Sequence, residues 1–220
     1  MLKIRKITLL IVVLGLALVK TNAQSYYKED ERTFYGGLSA GAVFSQLDGD
    51  NFAGYHKVGL TGGAIVYAQV ARRIAPSLEL LYTQKGAISN TEKNAVNVRV
   101  NDYKLKLNYM EVPVLLNYFD KRKSHFGAGF SYSQLISAQE TTRTTPALPA
   151  TVNLDDYPFR KYDINAIASV NLHLKKGFFL NIRYQYSLVS VREKWYPDLG
   201  RTSAGGQYNN FWAFRFMYIF

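Results

Sequence analysis

The chain has no cysteine, six prolines and three histidines in 220 residues. Without cysteine there is no disulfide staple, no thiolate zinc site and no cysteine nucleophile. The histidines, His56, His125 and His173, lie far apart, without HExxH spacing and with no evident serine and acid to complete a triad. Charge is sparse as well: Asp, Glu, Lys and Arg make up 20% of the chain, against about 25% in soluble domains. Beyond residue 24 no apolar run approaches the roughly 20 residues of a spanning helix. A mature chain that enters a membrane must therefore do so as a closed barrel, the other architecture that satisfies its own backbone in lipid. What is plentiful is aromatic: 15% of the residues, with seventeen tyrosines and thirteen phenylalanines.

The first segment reads as an export signal. Lys3, Arg5 and Lys6 form a positive start, 7–19 is an apolar stretch too short for an anchor, and Thr21-Asn22-Ala23 puts small residues ahead of Gln24. This divides the chain into a signal peptide at 1–23 and a mature domain at 24–220. Cleavage removes four positive charges and leaves twenty-three basic against sixteen acidic residues, so the +11 of the full chain falls to +7. An exported, mildly basic domain excludes nucleic acid as a partner by its address.

Period-2 alternation runs through the mature domain. It is clearest in Phe178, Leu180, Ile182, Tyr184, Tyr186 and Leu188, and in Trp212, Phe214, Phe216, Tyr218 and Phe220. It predicts eight strands at 34–44, 58–70, 77–88, 105–118, 125–137, 162–174, 178–190 and 209–220. The long connections 45–57, 89–104, 138–161 and 191–208 alternate with the short ones 71–76, 119–124 and 175–177. In an eight-stranded antiparallel up-and-down meander this puts every short turn on the side of the termini and every long loop on the other. That is the topology of an all-β transmembrane barrel in an outer membrane. A soluble lipocalin-like barrel would bury its apolar face instead. Phe34, Tyr35, Tyr118, Phe119, Phe126, Phe178, Phe179, Tyr218 and Phe220 are expected near the short-turn rim as an interfacial girdle.

If Phe178, Leu180 and Ile182 face lipid, strand parity sends Glu79, Lys85, Glu111, Asp163, Asn165, Arg183 and Arg215 inward. Eight strands leave room for little beyond side chains, so these groups are expected to pair as a closed polar core rather than line a pore. The alternative is a narrow channel or transporter. Pro113, inside an apolar strand, predicts a bulge, and the many strand glycines predict tight curvature. No cofactor or metal is expected: Asp48-Gly49-Asp50-Asn51 resembles a calcium loop but lacks its later ligands and reads as a turn. His56 as the base of a surface hydrolase is the one enzymatic reading, and the residues around it offer no partner for it. The long loops carry or adjoin Lys57, Lys93, Arg99, Lys104, Arg143, Arg160, Lys161, Arg192, Lys194 and Arg201, candidates for contact with lipopolysaccharide phosphate. The Thr-rich, Pro-containing stretch 138–161 is expected to be extended and mobile, suited to a partner.

Two motifs, Glu79-Leu80-Leu81-Tyr82-Thr83-Gln84-Lys85-Gly86 and Leu107-Asn108-Tyr109-Met110-Glu111-Val112-Pro113-Val114-Leu115-Leu116, resemble the Bacteroidetes outer-membrane β-barrel family that includes the PorT-like porin-family proteins. Gly37-Leu38-Ser39-Ala40-Gly41 and Tyr55 to Gly63 resemble its opening strands, so the similarity covers the mature chain. After Leu188, where many members continue Gly-Leu-Thr-Asn, this chain has Val189-Ser190-Val191. The resemblance implies an outer-membrane barrel. It also implies insertion by the barrel assembly machinery, with Phe220 as the C-terminal aromatic signal. For PorT-like members it further implies association with proteins of type IX secretion.

Overall fold

The computed structural model describes residues 33–50, 54–89, 93–94, 99–146, 157–193 and 206–220. The expected signal segment lies outside the described residues. Nine strands follow in chain order: β1 (Phe34–Asp48), β2 (Lys57–Ala68), β3 (Ile74–Ser89), β4 (Lys93–Asn94), β5 (Arg99–Phe119), β6 (His125–Thr145), β7 (Tyr162–Lys175), β8 (Phe178–Ser187) and β9 (Tyr208–Ile219). β4 is a two-residue ribbon on β5. The eight long strands pair antiparallel, each with its neighbour in sequence, and β9 returns to β1, so the sheet closes on itself without a free edge around the ring. The chain is an eight-stranded up-and-down β-barrel.

Alternation of side chains builds the wall. On β9, Trp212, Phe214, Phe216 and Tyr218 are exposed, while Phe211, Ala213, Arg215, Met217 and Ile219 are buried. The short turns are local chemistry. Between β7 and β8, Lys176 and Gly177 both take positive φ (46° and 83°), as a two-residue turn matched to strand twist requires. Inward-facing Gly63 and Gly129 permit the curl: a Cβ on either would stand within 2.0 Å of a carbonyl oxygen on the adjacent strand.

Four sequence expectations are corrected. β1, β5 and β6 run past their predicted ends, to Asp48, from Arg99 and to Thr145. Polar residues there join cross-strand ladders, and Thr141 to Thr145, expected in a mobile loop, pair with β5; threonine is a good strand former. At the other extreme β8 stops at Ser187, short of residue 190. Pro113 causes no bulge. Its register with β6 is continuous, and the β3–β5 ladder skips from Leu78↔Val114 to Leu81↔Glu111 without shifting, a gap where the missing N–H would have bonded. The register shift in β6 comes elsewhere, where Asn108 faces Ser137 and Tyr109 faces Leu135, leaving Ile136 as the extra residue. Finally, of the residues expected in the girdle, Phe179 is buried inside, Phe119 stacks on buried His125 and Tyr35 is half-buried, whereas Phe34, Tyr118, Phe126, Phe178, Tyr218 and Phe220 are exposed.

Candidate functional site

The lumen is filled at three levels. At the short-turn end an aromatic plug closes it: the ring of His125 stacks on Phe119 with centroids 4.2 Å apart and meets Tyr67 and Phe179 edge-on at 5.4 and 5.6 Å. Tyr67 Oη lies 3.0 Å from His125 Nε2. His125 is fully buried as the first residue of β6.

Above it sits a charged layer supplied by β3, β5, β7, β8 and β9. Glu79 accepts from both arginines: Arg183 Nη2 donates to Oε1 and Arg215 Nη1 to Oε2 at 2.8 Å. Arg215 Nε also donates to Asn181 Oδ1 at 2.8 Å. Nearby, Lys85 Nζ lies 2.5 Å from Glu111 and 3.6 Å from Asp163, over the rings of Tyr109 and Phe211. Hydroxyls of Thr83 and Ser133 donate to Glu111 at 3.0 Å, and Ser187 and Asn209 donate to Asp163. All six ionic side chains are at most 2% exposed. Three acids face three bases, so the layer is neutral. That balance is what lets charges stay in a dry interior, where an unpaired one would be costly.

The long-loop end is apolar. Leu47, Ala87, Val100, Tyr103, Leu105, Leu107, Tyr109 and Val191 form one buried cluster, with Leu135 and Phe159 packed on it. The charged layer is thus flanked by an aromatic plug on one side and an apolar cluster on the other. Over this cluster Arg192 grips Glu140 with two bonds, 3.0 and 2.7 Å. Tyr103 donates to the same carboxylate at 2.8 Å, and the Arg192 guanidinium lies 3.7 Å over Phe159.

Strand parity places Glu79, Lys85, Glu111, Asp163, Asn165, Arg183 and Arg215 together in the lumen, and all seven are buried there. It misses Glu140. Counted from His125, Glu140 has outward parity; the extra Ile136 reverses the outer half of β6 and turns Glu140 in and Arg143 out. The loop cations separate in the same way. Arg192 is committed to Glu140 and Arg160 to Glu193, beside a surface cavity of about 440 Å³ between them. Lys57 is buried, donating to the Val58 carbonyl at 2.7 Å. Arg99, Lys104, Arg143 and Lys161 are exposed. The side chains of Lys93, Lys194 and Arg201 lie outside the described residues.

Asp48 is in β1 and accepts from Gln46 and Asn210, with the turn made by Gly49 at φ 92°; Asn51 lies outside the described residues. Among the described residues no three His, Asp or Glu gather as metal ligands. His56 stands exposed ahead of β2. Phe220 lies exposed on the outer wall, its N–H on Gly36 O at 2.9 Å.

The wall also marks where the apolar exterior ends. On β5 the outward residues run Tyr118, Leu116, Val114, Val112 and Met110, then Asn108, Lys106 and Lys104. From Tyr118 to Asn108, ten steps at about 3.3 Å and a tilt near 40° give about 25 Å along the axis, the height of a membrane-barrel apolar band.

No curated protein sequence matches the chain. Among solved structures it is similar to Ail, the attachment invasion locus protein of Yersinia pestis, at 11% identity and TM-score 0.43, covering 86% of this chain and 100% of that one. It is similar to Neisserial surface protein A at 9% identity and TM-score 0.43, covering 85% and 97%. It is also similar to OprG from Pseudomonas aeruginosa at 13% identity and TM-score 0.38, covering 85% and 94%. Residues 22–193 match the family model of the outer membrane protein beta-barrel domain. With that match spanning most of its length, the chain belongs to the outer membrane β-barrel domain family.

Proposed function

We propose that this protein is a non-enzymatic, non-conducting outer-membrane barrel that acts at its long-loop end, through contact with lipopolysaccharide or a partner protein. The observation that carries this reading is the packed lumen: an aromatic plug, a neutral ionic layer and an apolar cluster succeed one another with the largest side chains fully buried. Such an interior leaves a channel or transporter without a path. At the opposite extreme β5 and β6, at 21 residues each, outrun the apolar band as a polar two-stranded ribbon. Export through 1–23, with insertion by the assembly machinery reading Phe220, belongs to the same proposal.

A second reading, a PorT-like component of Bacteroidetes type IX secretion, is favoured by the two strand motifs. These lie side by side, with Leu81 opposite Glu111 and Lys85 opposite Leu107, and they hold three of the six buried charges. Their resemblance therefore speaks for a shared lumen more than for a shared task. One experiment separates the readings: secreted and surface proteins of a clean deletion strain, with the gene restored from a plasmid as control. Normal secretion is expected; secretion lost on deletion and regained on complementation would replace the first reading by the second.

A further inference from the structure

Within the ring every strand edge is paired, but β6 outruns one of its two neighbours. Its ladder with β7 runs from His125 to Gln134 and ends at Tyr162, where β7 begins; one further bond joins Leu135 N to the Lys161 carbonyl. Its ladder with β5 continues to Thr145. From Ile136 to Thr145 β6 is therefore paired on one side, and among the described residues no backbone group bonds its other edge. Ser137 lies opposite Asn108, where the apolar band stops. From there to Thr145, eight steps at about 3.3 Å make an open edge about 26 Å long beyond the band. Every second residue along it directs an N–H and a C=O away from β5. Natural edges of this kind are blunted by lysine, proline, short length or a bulge. This one has its bulge only at the foot, and Ile136 to Thr145 contain neither lysine nor proline. Four of those ten residues are threonine, which favours extended backbone. The edge is also held in place, because Glu140 accepts from Arg192 and Tyr103, Asn108 donates to Ser137 and Asn101 to Thr145.

We propose that this edge receives an extended, acidic segment of a partner protein, which adds a strand to β6 beyond the apolar band. The proposal rests on the reading that the protein acts at its long-loop end, and it names the partner's chemistry. In strand addition the main-chain bonds supply affinity and the flanking side chains supply choice. The flanking charges here are mostly basic: Arg143 on β6, Lys104 and Lys106 on β5 and Lys161 at the foot of the edge are all exposed. Of the two acids on this part of β5 and β6, Glu140 is held by Arg192 and Asp102 lies opposite Arg143. An incoming strand with acidic side chains meets that surplus favourably. A second copy in the same membrane does not fit. It stands upright beside the first, and the two-fold axis along the membrane normal that relates such copies sets identical backbone groups, rather than donor and acceptor, against each other at each height.

The test titrates the purified full chain, folded in lipid nanodiscs, with three synthetic peptides of equal length: alternating Thr and Glu, alternating Thr and Lys, and the Thr-Glu peptide with every amide N-methylated. Affinity is read together with amide hydrogen exchange. The Thr-Glu peptide is expected to bind about tenfold more tightly than the Thr-Lys peptide and to slow exchange within 136–145 while the barrel strands stay as they were. The methylated peptide, which keeps the charges and loses the donors, should not bind. Arg143→Gln should weaken the Thr-Glu peptide about threefold, one exposed ionic contact being lost. The peptide comparisons need no variant, so they stand even if Arg143→Gln fails to fold. Absence of Thr-Glu binding would overturn the proposal, as would protection that falls outside 136–145. Equal binding of the methylated peptide would reduce the contact to charge alone, and equal binding of the Thr-Lys peptide would remove the acidic partner; either overturns it. Clumping of vesicles that carry only this chain, with the same amides protected, would give the edge to a second copy on a facing membrane instead. Conductance and secretion do not enter this experiment, so a failed edge leaves the proposed function standing.

Discussion

Glu79 is the single carboxylate that both Arg183 and Arg215 contact, which makes it the residue on which the ionic layer depends most. Glu79→Gln keeps the shape and removes the charge, leaving two buried guanidiniums facing each other without an acid. The variant should lose about 3–5 kcal/mol, the range for breaking a buried pair, read by urea unfolding in lipid vesicles. A loss below about 1 kcal/mol would mean that the arginines have other acceptors. At this scale the sequence was informative about direction: alternation alone turned six charges inward. It could not name the pairs, because Glu79 meets Arg183 and Arg215 across 104 and 136 residues. Parity also turned Phe179 inward with Arg183; placing it in the girdle followed aromatic type, which suits a rim and a lumen equally.

At the level of the strand, alternation located all eight long elements and the three short turns. It failed at their ends, because side-chain polarity does not decide whether a backbone joins a ladder. The outer part of β6 shows this twice: Thr141 to Thr145 are polar yet paired, and Ile136 reverses their facing. Deleting Ile136 brings Glu140 from fifteen to fourteen positions past His125, so a bulge-free β6 still turns it inward, opposite Leu105, and Arg192 keeps its acid. The outer ends of β5 and β6 should then resist protease as they do in the parent. Ready cleavage after residue 137 would show that the bulge itself, rather than the residue count, holds Glu140 in place.

In the whole molecule the strands close a ring, and a ring of eight is narrow enough for its own side chains to fill. Fold class followed from the even strand count and the alternating long and short connections. The layering of the lumen did not, because which inward residues share a height depends on register between strands distant in sequence. The apolar cluster of Leu105, Leu107 and Val191 at the long-loop end interrupts the polar interior that parity alone would draw. Together the three layers make a plugged barrel whose working surfaces are its outer wall and its long-loop end. Planar-bilayer recording on protein verified as folded by its heat-modifiable mobility tests this most directly. The account predicts flat current traces across the applied voltage range. Discrete conductance steps of reproducible size from the folded protein would contradict it.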